Sequence, residues 1–326
     1  MKIAFVGKGG SGKTTLSSLF IRHLAATGAP VVAVDADINQ HLGAALGLDE
    51  TEAAGLPAMG EHLPLIKEYL RGTNPRITST GTMIKTTPPG EGSRLLRVCE
   101  DNPVYDVCAR PVELDAGALR LMVTGPFTES DLGVACYHSK TGAVELCLNH
   151  LVDGRDEYVV VDMTAGSDSF ASGMFTRFDI TFLVAEPTRK GVSVYRQYKE
   201  YARDFGVTLK VVGNKVQGPD DLDFLREEAG DDLLTTVGHS DWVRAMEKAR
   251  PPRFGLLEDA NHRALRTLRT AADATYESRD WERYTRQMVH FHLKNARSWG
   301  NERTGADLAA QVDPGFVLRE TVAAPA

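Results

Sequence analysis

The chain has 326 residues, 42% hydrophobic and 25% charged, a globular composition whose length suits one large α/β domain or two smaller ones. A net charge of −7 gives no electrostatic reason to expect nucleic acid as a partner, and no apolar run approaches the roughly 20 residues that span a bilayer, so no membrane is expected either. Four cysteines in this length make no disulfide framework, and MKIAFVGKGG runs straight into a motif without a signal peptide, so a cytoplasmic protein with reduced thiols is expected.

From the N-terminus, KIAFVG (2–7) reads as a short apolar strand ending in glycine. A helix should follow from Lys13 to about Ala26, then a strand at VVAVD (31–35). Residues 50–118 are the least regular part and read as a partly helical insertion, with a loop at 72–94 marked by Pro88-Pro89 and several glycines. Apolar runs resume at LRLMVTG (119–125), EYVVVDM (157–163), DITFLVAE (179–186), VTLKVVGNK (207–215) and LLTTVG (233–238). Helical segments lie among them at 188–204, 220–229 and 241–249. Strands apolar on both faces belong to a parallel sheet wrapped by helices, so the expected class is a doubly wound, mostly parallel α/β fold. The strand–helix rhythm stops near residue 276. Residues 1–275 are expected to form one domain, and residues 276–326 an appendix, helical over 280–298 with a flexible tail.

Gly7-Lys8-Gly9-Gly10-Ser11-Gly12-Lys13-Thr14 fits G-x-x-x-x-G-K-[ST], with a strand before and a helix after. In such a loop the N–H groups of Gly9, Gly10, Ser11 and Gly12 turn inward around phosphate oxygens, and the helix dipole adds to the attraction. Lys13 should reach the β- and γ-phosphates, Thr14 should ligate Mg²⁺, and Thr15 completes the binding set. Asp162, ending the strand in VVVDMTAG, should hold a Mg²⁺-bound water, and Gly166 should offer its N–H to the γ-phosphate. Asp35 and Asp37 end the strand in VDADIN. Asp37 is the better candidate to orient an attacking water, while Asp35 suits either the site or a helix cap. Asn214-Lys215-Val216-Gln217 has glutamine where a guanine-binding N-K-x-D motif has aspartate. The Asn214 amide can still pair with adenine, so ATP is favoured over GTP.

The extra lysine, Lys8, in GKGGSGKTT resembles that of the deviant Walker A P-loop ATPases. These include the Par and Min positioning ATPases, the nitrogenase iron protein and the nickel-insertion ATPase of carbon monoxide dehydrogenase. The resemblance runs from Met1 to about Ala274 through VDADIN, VVVDMTAG, AEPT and GNKV. It implies an ATP-dependent face-to-face homodimer in which Lys8 of each subunit reaches the other subunit's phosphates. The nickel-insertion branch is the most similar. It carries Cys-x-Cys in a glycine-led segment before the Walker B strand, where this chain has GVACYHSK with Cys136 and His138. Three features depart from that branch: His138 stands for the second cysteine, Ser167-Asp168-Ser169 follows Ala165-Gly166, and the appendix is added.

Cys136 and His138 share a face if the segment is extended. Alone they read rather as a packed cysteine beside a surface histidine, and it is the resemblance that raises a metal-binding reading. A two-fold axis nearby would instead gather Cys₂His₂ ligation between subunits, suited to Zn²⁺ or Ni²⁺. Cys147 reads as core and Cys99 and Cys108 as structural. His290 and His292, two apart on a helix, cannot share one ion. The expected function is an ATP-hydrolysing dimeric switch, ATP plus water to ADP and phosphate, that assists metallocentre assembly or metal delivery to a client, which can be a metalloenzyme. The alternatives are a Par/Min-type positioning or regulatory ATPase and an iron-protein-like [4Fe–4S] reductase.

Overall fold

The computed structural model describes residues 1–37, 39–126, 141–164, 170, 173–248, 250 and 252–319. The strands are β1 (Lys2–Gly7), β2 (Val31–Ala36), β3 (Leu96–Arg97), β4 (Ala109–Leu114), β5 (Gly117–Val123), β6 (Leu151–Val152), β7 (Tyr158–Met163), β8 (Ile180–Ala185), β9 (Leu209–Val216) and β10 (Leu233–Gly238). Eight form one sheet in the order β10-β9-β8-β1-β7-β2-β5-β4, while β3 and β6 pair separately. Every pairing in the large sheet is parallel except β4 with β5. This is the doubly wound, mostly parallel α/β fold that the sequence predicts.

The principal helices are α1 (Lys13–Ala25), α2 (Leu63–Arg71), α3 (Gly142–Asn149), α4 (Arg189–Ala202), α5 (Pro219–Ala229), α6 (Asp259–Glu277) and α7 (Trp281–Asn295). Alternation along the strands feeds two apolar layers. Ile3 and Phe5 of β1 pack with α1 and α6 on one face, through Leu16, Phe20, Leu265 and Leu268. Ala4 and Val6 pack on the other with α2, α3, α4 and α5, through Ile66, Leu146, Tyr195 and Leu225. Burial on both faces is why these strands are apolar without interruption.

One strand of the large sheet was not legible, nor were the two short strands of the separate pair, β3 and β6. β4 falls within the stretch read as an insertion, because ARPVEL is a half-exposed edge strand with only Val112 buried. Pro111 is tolerated there because an edge leaves backbone groups unpaired. The rest of the insertion meets the C-terminal stretch directly. Ile84 packs on Leu308 and Ala296, and the Thr87 hydroxyl donates to Gln311 Oε1 at 3.1 Å. Val152 packs with Tyr284 and Leu318. Beyond α7 the helix loosens into a π-turn, Ala296–Gly300.

Candidate nucleotide site

β1 stops at Gly7 and α1 starts at Lys13, leaving a loop at the carboxyl edge of the parallel sheet, where such folds bind ligands. Gly10 and Gly12 have φ of 82° and 88°, a region that favours glycine. The backbone thus wraps into a nest of N–H groups before the helix begins.

β2 and β7 lie in register with Asp35 opposite Asp162. Neighbouring parallel strands therefore bring their carboxylates together at one edge. Lys13, 6% exposed, sets its ammonium between the carboxylates of Asp162 and Asp37, 3.1 Å from Asp162 Oδ1 and 3.5 Å from Asp37 Oδ2. The Thr14 hydroxyl donates to the other Asp162 oxygen at 2.6 Å. Burial raises the Asp162 carboxyl from its ordinary range, opposed mainly by the Lys13 charge and the Thr14 hydroxyl.

Asp35 sits differently. Its two oxygens accept the N–H groups of Asp37 (3.1 Å) and Leu42 (2.9 Å), so it braces the loop leaving β2. Of its two sequence readings, the bracing role fits these contacts. Burial, then the charge of Asp162, pushes its carboxyl up to about 7. Asp37 accepts from both the backbone and side-chain nitrogens of Asn39, at 3.1 and 2.9 Å, and keeps Oδ2 towards Lys13.

The donor set fits a magnesium nucleotide. Mg²⁺ takes hard oxygen ligands, and the Thr14 hydroxyl and the Asp162 and Asp37 carboxylates gather at the foot of the loop. Ser11 Oγ is buried without a hydrogen-bond partner among the described residues, a polar atom suited to a phosphate oxygen.

Asn214 and Lys215 hold the loop from β9. Asn214 Nδ2 donates to the Ser11 carbonyl at 2.7 Å, and Lys215 Nζ donates to the Gly10 carbonyl at 2.7 Å and pairs with Glu186 Oε1 at 2.5 Å. A Cβ at Gly12 would lie 2.1 Å from the Asn214 amide nitrogen, so this approach requires glycine. Lys215 and Glu186 were not assigned to the site from sequence; the NK doublet was the only signal. A cavity of about 310 Å³ opens beside Asn214, lined by Gly12, Thr15, Leu16, Gln217 and His239 among others. Its size suits a nucleoside. Thr15 therefore lies on the cavity wall. A larger groove, about 750 Å³, lies at the opposite end of β9, where Lys199 pairs with Asp232 and Arg196 with Glu228.

Lys8 is half-buried and has no ion pair among the described residues. Gly9 is exposed beside it. Cys136, His138 and Gly166 lie outside the described residues. Among the described residues no group of three or more His, Cys, Asp or Glu could hold a metal ion. Cys147 is buried in α3 with Val144 and Leu148, as the core reading requires, and Cys108 is also buried. His292 is buried, with Nε2 2.9 Å from the Leu308 carbonyl, whereas His290 is exposed. No helix among the described residues is long and apolar enough to cross a membrane.

Comparison with known proteins agrees with this geometry. Residues 3–252 match the family model described as the CobQ/CobB/MinD/ParA nucleotide binding domain. The chain is 32% identical over 247 residues to an uncharacterised ATP-binding protein of Methanocaldococcus jannaschii, covering 74% of this chain and 87% of that one. It is 28% identical over 251 residues to the carbon monoxide dehydrogenase accessory protein CooC of Rhodospirillum rubrum, covering 76% and 88%. Among solved structures it resembles the cell division ATPase MinD of Pyrococcus furiosus, with a TM-score of 0.52 at 14% identity over 83% of this chain and 99% of that one. The MinC:MinD complex of Aquifex aeolicus is similar, with a TM-score of 0.52 at 18% identity over 83% and 94%.

Proposed function

This chain belongs to the CobQ/CobB/MinD/ParA nucleotide-binding family, and we propose that it is an ATP-hydrolysing dimeric switch assisting metallocentre assembly or metal delivery to a client enzyme. The observation that carries the nucleotide part is the convergence of Lys13, Thr14, Asp37 and Asp162 at the foot of the phosphate loop. The metallocentre part is supported by similarity to an accessory protein of carbon monoxide dehydrogenase and by the Cys136/His138 pair.

In the proposed reaction the loop N–H groups and Lys13 bind the phosphates, releasing Lys13 from its carboxylate partners. Thr14 would ligate Mg²⁺ and Asp162 would hold a water bound to it, and the ion would supply charge neutralisation to the phosphates. The Asp37 carboxylate accepts a hydrogen bond from the water that attacks the γ-phosphorus. The bond from that phosphorus to the β–γ bridging oxygen breaks, leaving ADP and phosphate. Asn214 and Lys215 keep the loop in shape through its carbonyls. Lys8 of each subunit reaches the phosphates of the other, so the dimer closes only over ATP. Two copies of Cys136 and His138, if closure gathers them, would be the residues to hold one Zn²⁺ or Ni²⁺.

Metal analysis and light scattering, with and without a non-hydrolysable ATP analogue, test the reading. The expected result is a dimer with analogue and Mg²⁺, about one transition metal per two chains, and loss of metal in Cys136→Ala. Metal-free protein in both nucleotide states, after growth with zinc and nickel, would remove the metallocentre role and favour a Par/Min-type positioning ATPase.

A further inference from the structure

Downstream of the Asp162 strand, past Phe170, the chain enters a tight turn, Gly173–Arg177. Two elements grip it. From α3 comes Glu145, 2% exposed, whose carboxylate accepts the Gly173 N–H and stands 3.6 Å from the Lys85 ammonium of the insertion. From α7 comes Phe291, against which Gly173 lies so close that a Cβ would fall 2.6 to 3.0 Å from its carbons. The turn's own Arg177, 1% exposed, donates from Nη1 to the Tyr284 carbonyl of α7 at 3.3 Å. Its guanidinium stacks 4.8 Å from the Tyr284 ring centroid and interacts with the charge of Glu145.

Neither Glu145 nor Arg177 is among the groups that converge on the phosphate loop. The buried pair of Glu145 with Lys85 adds little net stability over an apolar replacement, and its best use is to specify one arrangement. A close-packed interior switches between discrete arrangements rather than deforming gradually. The turn these contacts hold is joined by the chain to β7, which carries the Asp162 that the nucleotide would engage. A shift of the turn by an ångström would break the bond from Arg177 to α7.

We propose that Glu145 and Arg177 are positioning residues that couple the Gly173–Arg177 turn to the C-terminal helix, so that the packing of α7 follows the nucleotide state. This rests on the nucleotide-switch reading above and gives the appendix a role in it: α7 becomes a surface whose presentation ATP controls.

Hydrogen–deuterium exchange on the full chain, with and without Mg²⁺ and a non-hydrolysable ATP analogue, tests this. Nucleotide binding should slow exchange in α1. In the same sample, exchange across 281–295 should change by about threefold or more. Glu145→Gln keeps the side-chain shape and an acceptor for Gly173. It should retain nucleotide protection of α1, lose the response of 281–295, and lower kcat about tenfold with KM little changed. Phe291→Leu, which loosens the second grip without touching the ion pair, should weaken the same response. Protection of α1 in the wild-type protein with no change in 281–295 would overturn the coupling and leave the nucleotide reading standing. No protection in either region would overturn both.

Discussion

The side-chain amide of Asn214 donates a 2.7 Å hydrogen bond to the carbonyl of Ser11, a residue 203 positions away in the chain. An amide committed to the phosphate loop is a brace for that loop whatever base is bound. With Lys215 on the Gly10 carbonyl, β9 fixes two consecutive loop peptides. Preorganised N–H donors then need no reordering when phosphate arrives.

Asn214→Ala should therefore weaken ATP and GTP together. The expected loss is about tenfold for each, the equivalent of one partly buried hydrogen bond. Titration calorimetry with both nucleotides checks it. A loss confined to ATP would mean that the amide reads the base and that its contact with Ser11 is incidental.

Lys13→Ala and Asp37→Ala should separate binding from turnover. Lys13 is the ammonium at the foot of the loop, so its removal should abolish measurable nucleotide binding. Asp37 keeps one oxygen on Asn39 and the other towards Lys13, and its loss leaves the loop and Asp162 intact. Asp37→Ala should bind ATP within severalfold of wild type and lose about two orders of magnitude or more in kcat. Equal hydrolysis by both variants and the wild type would sink this assignment.

Lys8→Ala should bind ATP and fail to associate. Lys8 carries a charge with no ion-pair partner among the described residues, on the exposed lip of the loop beside Gly9. Removing it deletes neutralisation of phosphate charge across a subunit boundary. Light scattering with analogue and Mg²⁺ should report a monomer for the variant and a dimer for the wild type. A dimer in both would assign Lys8 to its own subunit.

What could be read in advance follows from how local the information is. The phosphate loop lies within eight consecutive residues, and β1, β2, β7 and β8 are buried on both faces, so neither needs a distant partner to be recognised. β4 was missed because only one of its six residues is buried. The brace by Lys215, the bond from Arg177 to Tyr284 and the docking of Gln311 on Thr87 join positions more than a hundred residues apart. Nothing in either local stretch marks them. Asp35 and Asp37 looked alike on paper. Only the placement of Leu42 N–H over Asp35 distinguishes a bracing carboxylate from one left to the site.

Asp153 should be a principal stability determinant. It is fully buried, with Arg279 Nη2 at 2.5 Å, the Met1 ammonium at 2.6 Å and Lys2 Nζ at 3.6 Å. Burial alone would raise its carboxyl, but these three cations overcome that and hold it well below the ordinary carboxylate range. Asp153→Ala leaves buried cations without their counter-ion and should cost about 3–5 kcal/mol. A folded-state carboxyl depressed in this way stabilises above its unfolded value and loses that contribution as pH falls below about 4. Urea unfolding at neutral pH checks the first expectation; a change under about 1 kcal/mol would refute it.

His150 should impose a second, milder acid sensitivity at higher pH. It is fully buried, its Nδ1 lies 3.0 Å from the Leu146 carbonyl, and its Nε2 has no partner among the described residues. Burial lowers its pKa from 6.5 to about 4, with the Leu146 carbonyl opposing. The unfolded chain protonates this ring near 6.5 while the folded chain does not until about 4. Protonation thus favours unfolding in that window: the full stability holds above about 6.5, declines as pH falls towards 4, and takes no further loss from this group below it. One such group contributes a slope of up to about 1.4 kcal/mol per pH unit. His23, also lowered to about 4 by burial and by nearby Arg269, adds to the wild-type slope. His150→Gln should be less stable at pH 7.5, losing packing, but its unfolding free energy should fall less steeply between pH 6.5 and 4.5 by up to about that amount. Denaturant titrations at four or five pH values (about one per half unit) give both slopes. Identical slopes would mean that His150 takes up its proton without unfolding.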